Sequence, residues 1–152
     1  MRNGNRHILE FIDVASHNGF LFAIPSLVLV ATKYIVFRNL FKTQKGRQIK
    51  VLHTDGHGSY ISHEIQSILA NDGTIHKIRS PYSPQQNALA ERRIRTIVEM
   101  ACTILLHSCV PPVCWEDAVL HSNYVRNHVA TCVLKGKTSY RNFGDPNLIW
   151  NI

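Results

Sequence analysis

Apolar positions in the first third of the chain change from strand-like runs to a helical spacing. The runs "HILEFIDV" (7–14) and "FLFAIP" (20–25) flank the turn-forming "ASHNG", and this pattern predicts a β-hairpin. The stretch "SLVLVATKYIVFRNLFKTQKG" then fits a helix that begins at Ser26 and ends at Gly46. The chain therefore opens with two strands and a helix.

The remaining residues alternate strand and helix patterns and then become helical. The predicted elements are a strand over "QIKVLHT" (48–54), an amphipathic helix over "YISHEIQSILANDG" (60–73), a strand over "TIHKIR" (74–79), a long helix from about Pro84 to about His107 and a helix over "VCWEDAVLHSNYVRNHVA" (113–130). Strands followed by strand–helix alternation predict an α/β domain over residues 1–150, with a mixed sheet flanked by helices.

Composition and charge narrow the classes of partner. The chain has 152 residues, of which 45% are hydrophobic and 18% charged, values typical of a folded domain. Its formal net charge of +7 favours a polyanionic partner, either nucleic acid or an acidic membrane surface. The most apolar stretch, residues 20–31, is too short to cross a bilayer and is interrupted by Pro25, so we expect no membrane segment. None of the four cysteines forms a C-x-x-C pair, which argues against a zinc knuckle and for a reducing compartment.

Two carboxylates lie at positions that suit a shared site. Asp55, in "HTDGHGSY", follows directly after a predicted strand. Asn87, Glu91 and Arg95 are spaced four residues apart and share a ridge that borders the apolar stripe of the long helix. We therefore expect Glu91 to face the body of the domain and to lie close to Asp55 at the edge of the sheet. Residues 56–90, 35 in all, separate the two acids.

This spacing resembles the second half of the D,D-35-E motif of retroviral integrases and many transposases. The run "SPYSPQQNALAERRIRTI" (80–97) is the most specific part of a resemblance to the integrase core of copia-type LTR retrotransposons, which extends from about His7 to Leu148. The family pattern there is close to P-x-x-P-Q-x-N-G-x-x-E-R-x-N-R-T. Before it comes a pattern close to R-x-D-N-G-x-E-[YF], which "VLHTDGHGSY" resembles in part.

The resemblance implies a fold, a chemistry and a set of site residues. The implied fold is RNase H-like, and carboxylates in that family hold two Mg²⁺ or Mn²⁺ ions on the DNA phosphate. Asp55 and Glu91 match the second and third catalytic, metal-binding positions. Asn87 matches the family asparagine four residues before the glutamate, and Arg95, on the same ridge as Glu91, is a candidate DNA contact. The implied partners are element-end and target DNA and a full-length integrase, and the implied location is the nucleus and cytoplasm.

The first catalytic aspartate of the family has no match. The segment "MRNGNRH" contains no acid, Glu10 follows inside the predicted hairpin, and Asp13 matches the hairpin aspartate that is not a ligand. Ser59 and Ala88 replace a family glutamate and glycine. We therefore expect a core truncated on its N-terminal side that lacks the first strand. Such a remnant of an integrase, an enzyme that carries out 3′-end processing and strand transfer, would be inactive as it stands.

Other interpretations stay open from the residues alone. Asp55 could simply cap the next turn, with the glycines of "DGHG" at positive φ. His53 and His57 form an H-x-D-x-H pattern with Asp55 that could hold zinc. Arg93 points away from the ridge of Glu91, which predicts a solvated side chain. The competing class of function is a basic, non-catalytic module that binds nucleic acid or oligomerises with a full-length integrase.

Overall fold

A computed structural model describes residues 4–78 and 88–144. The strands in these ranges are β1 (His7–Ile12), β2 (Gly19–Ile24), β3 (Val51–Thr54), β4 (Ile75–Ile78), β5 (Ala130–Thr131) and β6 (Lys137–Thr138). The α-helices are α1 (Val30–Lys45), α2 (His63–Asp72), α3 (Ala88–His107), α4 (Trp115–His128) and α5 (Ser139–Gly144). Short 3₁₀ turns cover Leu27–Leu29, Gly58–Tyr60, Pro112–Cys114 and Cys132–Leu134. The described residues divide into two compact units, a first of residues 4–25 with 90–144 and a second of residues 26–78 with 88–89.

The first unit begins with the predicted hairpin, which the structure confirms. Strands β1 and β2 are antiparallel, with His7 opposite Ile24 and Ile12 opposite Gly19. The turn between them is closed by a hydrogen bond from the His17 amide to the Asp13 carbonyl, 2.8 Å long. His17 has a φ of 58°, the left-handed conformation that closes such a turn.

Helices α3 and α4 pack on this hairpin through a small apolar core. Its buried members are Leu21, Ile97, Ala101, Ala118 and Val119. Ile97 and Ala101 lie on the apolar stripe of the long helix, whereas the neighbouring Val98 is 38% exposed. The buried side of α3 is therefore turned away from Val98. The predicted helix start near Pro84 lies outside the described residues.

In the second unit, the helices begin and end close to the positions that the sequence predicts. The Ser26 side chain accepts a hydrogen bond from the Val28 amide, so the predicted helix starts at Ser26 with a 3₁₀ turn before α1. Gly46, with a φ of 61°, ends α1 in the left-handed conformation, and Gly73 ends α2 in the same way. Buried α1 side chains, including Tyr34, Phe37 and Phe41, form its core together with Ile65 and Leu69 of α2.

The α/β fold contains both parallel and antiparallel pairs of strands. Strands β3 and β4 are parallel, with Val51 opposite Ile75 and Thr54 opposite Ile78, whereas the β1–β2 and β5–β6 pairs are antiparallel. Within the described ranges these strands form three separate two-stranded sheets, so hydrogen bonding does not join them into one. None of the helices in these ranges is both long enough and apolar enough to cross a membrane.

Candidate active site

Asp55 lies on an exposed turn that follows β3. Its Oδ1 accepts a hydrogen bond from the His57 amide at 3.3 Å, which confirms that Asp55 caps this turn. The expected positive φ at the neighbouring glycines is wrong, because the glycines with positive φ in the described chain are Gly4, Gly46, Gly73 and Gly136. The Asp55 carboxylate is thus presented to solvent at a strand end by an ordinary capped turn.

A partly buried polar contact lies at the end of β3 just before Asp55. The Thr54 hydroxyl lies 2.9 Å from His76 Nε2, and the Gln66 amide nitrogen lies 3.0 Å from His76 Nδ1. Because an amide nitrogen only donates, Nδ1 accepts, and the imidazole is neutral with its proton on Nε2. Burial lowers the pKa of His76, which agrees with this neutral state. The contact joins β3, β4 and α2, so it sets where the Asp55 turn begins.

The histidines around Asp55 do not form a zinc site. His57 Nδ1 lies 2.7 Å from the Ser59 hydroxyl, so this ring nitrogen already has a partner within its own turn. Across residues 4–78 and 88–144, no group of three or more His, Cys, Asp or Glu side chains is placed to hold a metal ion. The geometry therefore gives the H-x-D-x-H interpretation no support.

Glu91 is exposed near the start of the described part of α3. Arg95, one turn later, is also exposed, and Asn87 lies outside the described residues. The buried face of α3 is formed by Arg93, Ile97 and Ala101. Glu91 lies outside this face, whereas the sequence predicted that it would face the body of the domain. Since Asp55 belongs to the second unit and Glu91 to the first, their proximity stays a prediction.

Arg93 corrects the expectation of a solvated side chain. It is only 5% exposed, and its Nε donates to Glu10 Oε1 at 2.5 Å. Its two terminal nitrogens donate to the His17 carbonyl at 3.0 Å and to the side-chain oxygens of Asn123 and Asn127 at 2.8 and 2.6 Å. The guanidinium is therefore the centre of a buried polar network.

The same network includes the carboxylate of Glu10, one of the two acids near the start of the chain. Burial raises the pKa of the Glu10 carboxyl, while the charge of Arg93 and its hydrogen bond act in the opposite direction. Gly19 is required beside this pair, because a Cβ there would overlap Glu10 Oε1 and the Arg93 guanidinium. Asn127 also donates to the Gly19 carbonyl at 2.9 Å and accepts from the Gly19 amide at 3.0 Å. Glu10 is thus a structural acid.

Asp13, the other candidate substitute for the unmatched aspartate, is also buried. It is 2% exposed, and its Oδ2 accepts hydrogen bonds from the Ser16 amide at 2.8 Å and from the Ser16 hydroxyl. Burial raises the pKa of Asp13, partly offset by these hydrogen bonds. An acid enclosed in its own turn is unsuited to reach a metal ion bound to DNA.

Comparison with solved structures identifies the fold. No family model matches the chain. A chain of the simian T-cell lymphotropic virus intasome, solved in complex with the PP2A regulatory subunit B56 gamma, is similar with a TM-score of 0.75 at 18% identity, over 93% of this chain and 49% of that one. The HTLV-2 integrase catalytic core domain, solved with magnesium in a trimeric form, is similar with a TM-score of 0.66 at 15% identity, over 90% of this chain and 92% of that one. The fold is that of a retroviral integrase catalytic core, the RNase H-like fold predicted from the sequence.

The sequence relatives are polyproteins from plant transposons. The chain is 32% identical over 147 residues, 97% of its length, to the retrovirus-related Pol polyprotein from transposon TNT 1-94 of Nicotiana tabacum. It is 28% identical over 142 residues to the corresponding polyprotein from transposon RE2 of Arabidopsis thaliana. Both alignments cover 10% of the relative, so the chain spans about a tenth of these polyproteins. Its homologues are Pol polyproteins of copia-type transposons, which confirms the predicted resemblance.

Proposed function

We propose that this chain corresponds to the integrase core of a copia-type retrotransposon polyprotein, the region that joins element DNA to host DNA. The observation that carries the proposal is the 32% identity to the TNT 1-94 polyprotein over nearly the whole chain, combined with the integrase-core fold. The first finding compares residues and the second compares backbones, and both point to the same region of a polyprotein. The site residues, the state of activity and the partners proposed below rest on this assignment.

Asp55 and Glu91 are the residues that we assign to the second and third catalytic positions. Support comes from their 35-residue separation, from the capped turn that presents Asp55 at a strand end, and from the exposure of Glu91 on α3. Carboxylate oxygens are the ligands that Mg²⁺ and Mn²⁺ prefer, and the HTLV-2 integrase core was solved with magnesium. Asn87 and Arg95 are assigned to the DNA, Arg95 as a phosphate contact.

Glu10 and Asp13, the two acids before Asp55, are poor candidates to complete a two-ion site with Asp55 and Glu91. A pair of divalent cations about 4 Å apart requires several carboxylate oxygens. Glu10 is held by Arg93 and Asp13 by Ser16, and neither is exposed. We therefore propose that these 152 residues by themselves catalyse neither 3′-end processing nor strand transfer.

A joining assay tests the inactivity directly. The purified chain is incubated with a labelled element-end oligonucleotide, target DNA, and either Mg²⁺ or Mn²⁺, and the products are resolved on a gel. We expect no joined product. Metal-dependent joining that Asp55→Asn and Glu91→Gln abolish, and that Glu99→Gln preserves, would contradict the inactivity while supporting the site. Glu99 is a suitable control because it is exposed two turns further along α3.

Binding of DNA without catalysis is the second candidate function, favoured by the net charge of +7. Sequence-independent affinity comes mainly from released counterions, so duplex binding should weaken steeply with salt. Arg95→Ala should lower the slope of log K against log salt by about 0.9, the value for one phosphate contact. A flat salt response, or no binding at low salt, would contradict a DNA-binding role.

A full-length integrase is the proposed protein partner, and the nucleus and cytoplasm are the proposed location.

A further inference from the structure

Three aromatic rings form a column on the surface of the first unit. The Tyr124 and His128 rings are stacked with centroids 4.1 Å apart and planes 28° from parallel. The His128 and Tyr140 rings follow at 4.5 Å and 26°. His128 Nδ1 donates to the Tyr124 carbonyl at 2.8 Å, because a carbonyl oxygen only accepts, and this bond orients the middle ring.

Helix periodicity explains why this aromatic column, Tyr124–His128–Tyr140, faces outward. Tyr124 and His128 are one turn apart on α4, whose buried positions are Ala118, Val119, Ser122 and Asn127. In α5 the buried positions are Ser139, Asn142 and Phe143, and the Phe143 ring packs edge-on against Phe20 at 5.1 Å. The β5–β6 hairpin reverses the chain between the two helices and brings Tyr140 onto His128.

The outer faces of both tyrosines are open. Tyr124 is 60% exposed and Tyr140 is 59% exposed, although His128 covers one face of each ring. Because His128 covers one face of each ring, the exposed area of each tyrosine lies on the rest of the residue, which includes the opposite face, the ring edge and the hydroxyl. Two aromatic faces are therefore available at the ends of the column, and core packing does not need either of them.

The segment that carries the column is basic, although the first turn of α4 before it holds Glu116 and Asp117. Residues 118–144 contain four cationic residues and no Asp or Glu. Three of the cationic side chains, Lys135, Lys137 and Arg141, are exposed. Arg141 directly follows Tyr140, and Lys137 lies in β6 just before α5. Open aromatic faces beside exposed cations are the combination that binds unpaired nucleotides, in which bases stack on rings and phosphates pair with cations.

We propose that the aromatic column is a binding site for single-stranded nucleic acid, with bases stacked on the outer faces of Tyr124 and Tyr140. Lys137 and Arg141 contact the phosphates. The proposal deepens the nucleic-acid-binding part of the proposed function and does not use Asp55 or Glu91. Single-strand binding is measured without metal ions or joining, so failure of the joining assay and failure of this site are separate results.

Fluorescence anisotropy with labelled oligonucleotides of about 15 nucleotides tests the site, using oligo-dT, oligo-rU and a duplex of equal length. Tyr124→Ala and Tyr140→Ala should each weaken single-strand binding by roughly 5- to 150-fold, the range for loss of one stacked base. Tyr124→Phe and Tyr140→Phe keep the ring and should bind like the native chain. Leu106→Ala is the matched control, because Leu106 is a 78% exposed apolar residue elsewhere in the same unit. Binding to either oligonucleotide supports the site. Binding to oligo-dT alone identifies the ligand as DNA, binding to oligo-rU alone identifies it as RNA, and binding to both shows that the site accepts either.

Several results would overturn the proposal. These are no binding of either single strand by the native chain, unchanged affinity in both alanine variants, or an equal loss of duplex binding. A change in sedimentation of the alanine variants with unchanged affinity would assign the rings to a protein interface instead. Photocrosslinking of a 5-iodouracil oligonucleotide to the native chain needs no variant. Adducts at Tyr124 or Tyr140 support the site, and adducts confined to other residues refute it.

Discussion

Replacement of Arg93 by methionine should strongly destabilise the first unit. Methionine has a similar length without the charge, so Arg93→Met removes the guanidinium from the Glu10 carboxylate at 2.5 Å and leaves that carboxylate buried. The two side chains are only 4% and 2% exposed, so water cannot replace the lost partner. Breaking a buried ion pair from one side costs about 3–5 kcal/mol. That loss is a large fraction of the 5–15 kcal/mol typical of a domain.

Urea denaturation followed by circular dichroism measures this cost. Arg95→Met is the matched control, because Arg95 is exposed two residues further along α3, and we expect it within about 0.5 kcal/mol of the native chain. The double variant Glu10→Leu/Arg93→Met removes both charges and should regain about 2 kcal/mol or more relative to Arg93→Met, because no charge is left unpaired. If Arg93→Met is as stable as Arg95→Met, the buried network does not exist in solution and the solvated arginine of the sequence prediction is right.

Three further predictions follow from the same contacts. Gly19→Ala should lower the urea midpoint sharply, because its Cβ would overlap Glu10 and Arg93, whereas Gly56→Ala, which meets nothing within 4 Å, should not. Burial, together with the charges of Arg126 and Arg93, lowers the pKa of His17 below its ordinary value of 6.5. The neutral His17 side chain therefore contributes to stability above pH 6.5, and this contribution is lost as the pH falls through the lower pKa of the folded state. His17→Asn, which tolerates the left-handed backbone, should therefore reduce the loss of stability measured by urea denaturation below pH 6.5, and an unchanged pH profile would refute this. Asp72→Asn should cost no more than about 1 kcal/mol in the same measurement, because the 2.8 Å pair with Arg38 is about one-quarter exposed.

Local patterns predicted the elements of the fold because the signals lie within a few residues of one another. Ser26 and Gly46 mark the two ends of the first helix, and "ASHNG" separates two strands of equal length. Residues near Asp55 likewise predicted its capped turn, although the glycines there adopt ordinary backbone angles.

Contacts between distant positions could not be predicted in this way. Arg93 is an exposed charge by helix pattern, and its partner Glu10 lies 83 positions earlier in the chain. Because Arg93 lies on the buried face of α3, Glu91 lies on the exposed side of the helix. Tyr124 and His128 have a spacing that suits contact on a helix, but the arrival of Tyr140 depends on a hairpin of two-residue strands that has no recognisable pattern. Such contacts depend on tertiary structure.

The most direct test of the central claim is a strand-transfer assay on a chain given a further acid. A strand that ends in an aspartate is fused ahead of residue 1. Joining of labelled element ends to target DNA is then measured with Mg²⁺ or Mn²⁺. If Asp55 and Glu91 are the second and third catalytic residues, the fused chain should join DNA. Asp55→Asn and Glu91→Gln should each abolish the product, while Glu99→Gln should preserve it. No joining by the folded fusion, or joining that survives either of the first two substitutions, would contradict the assignment.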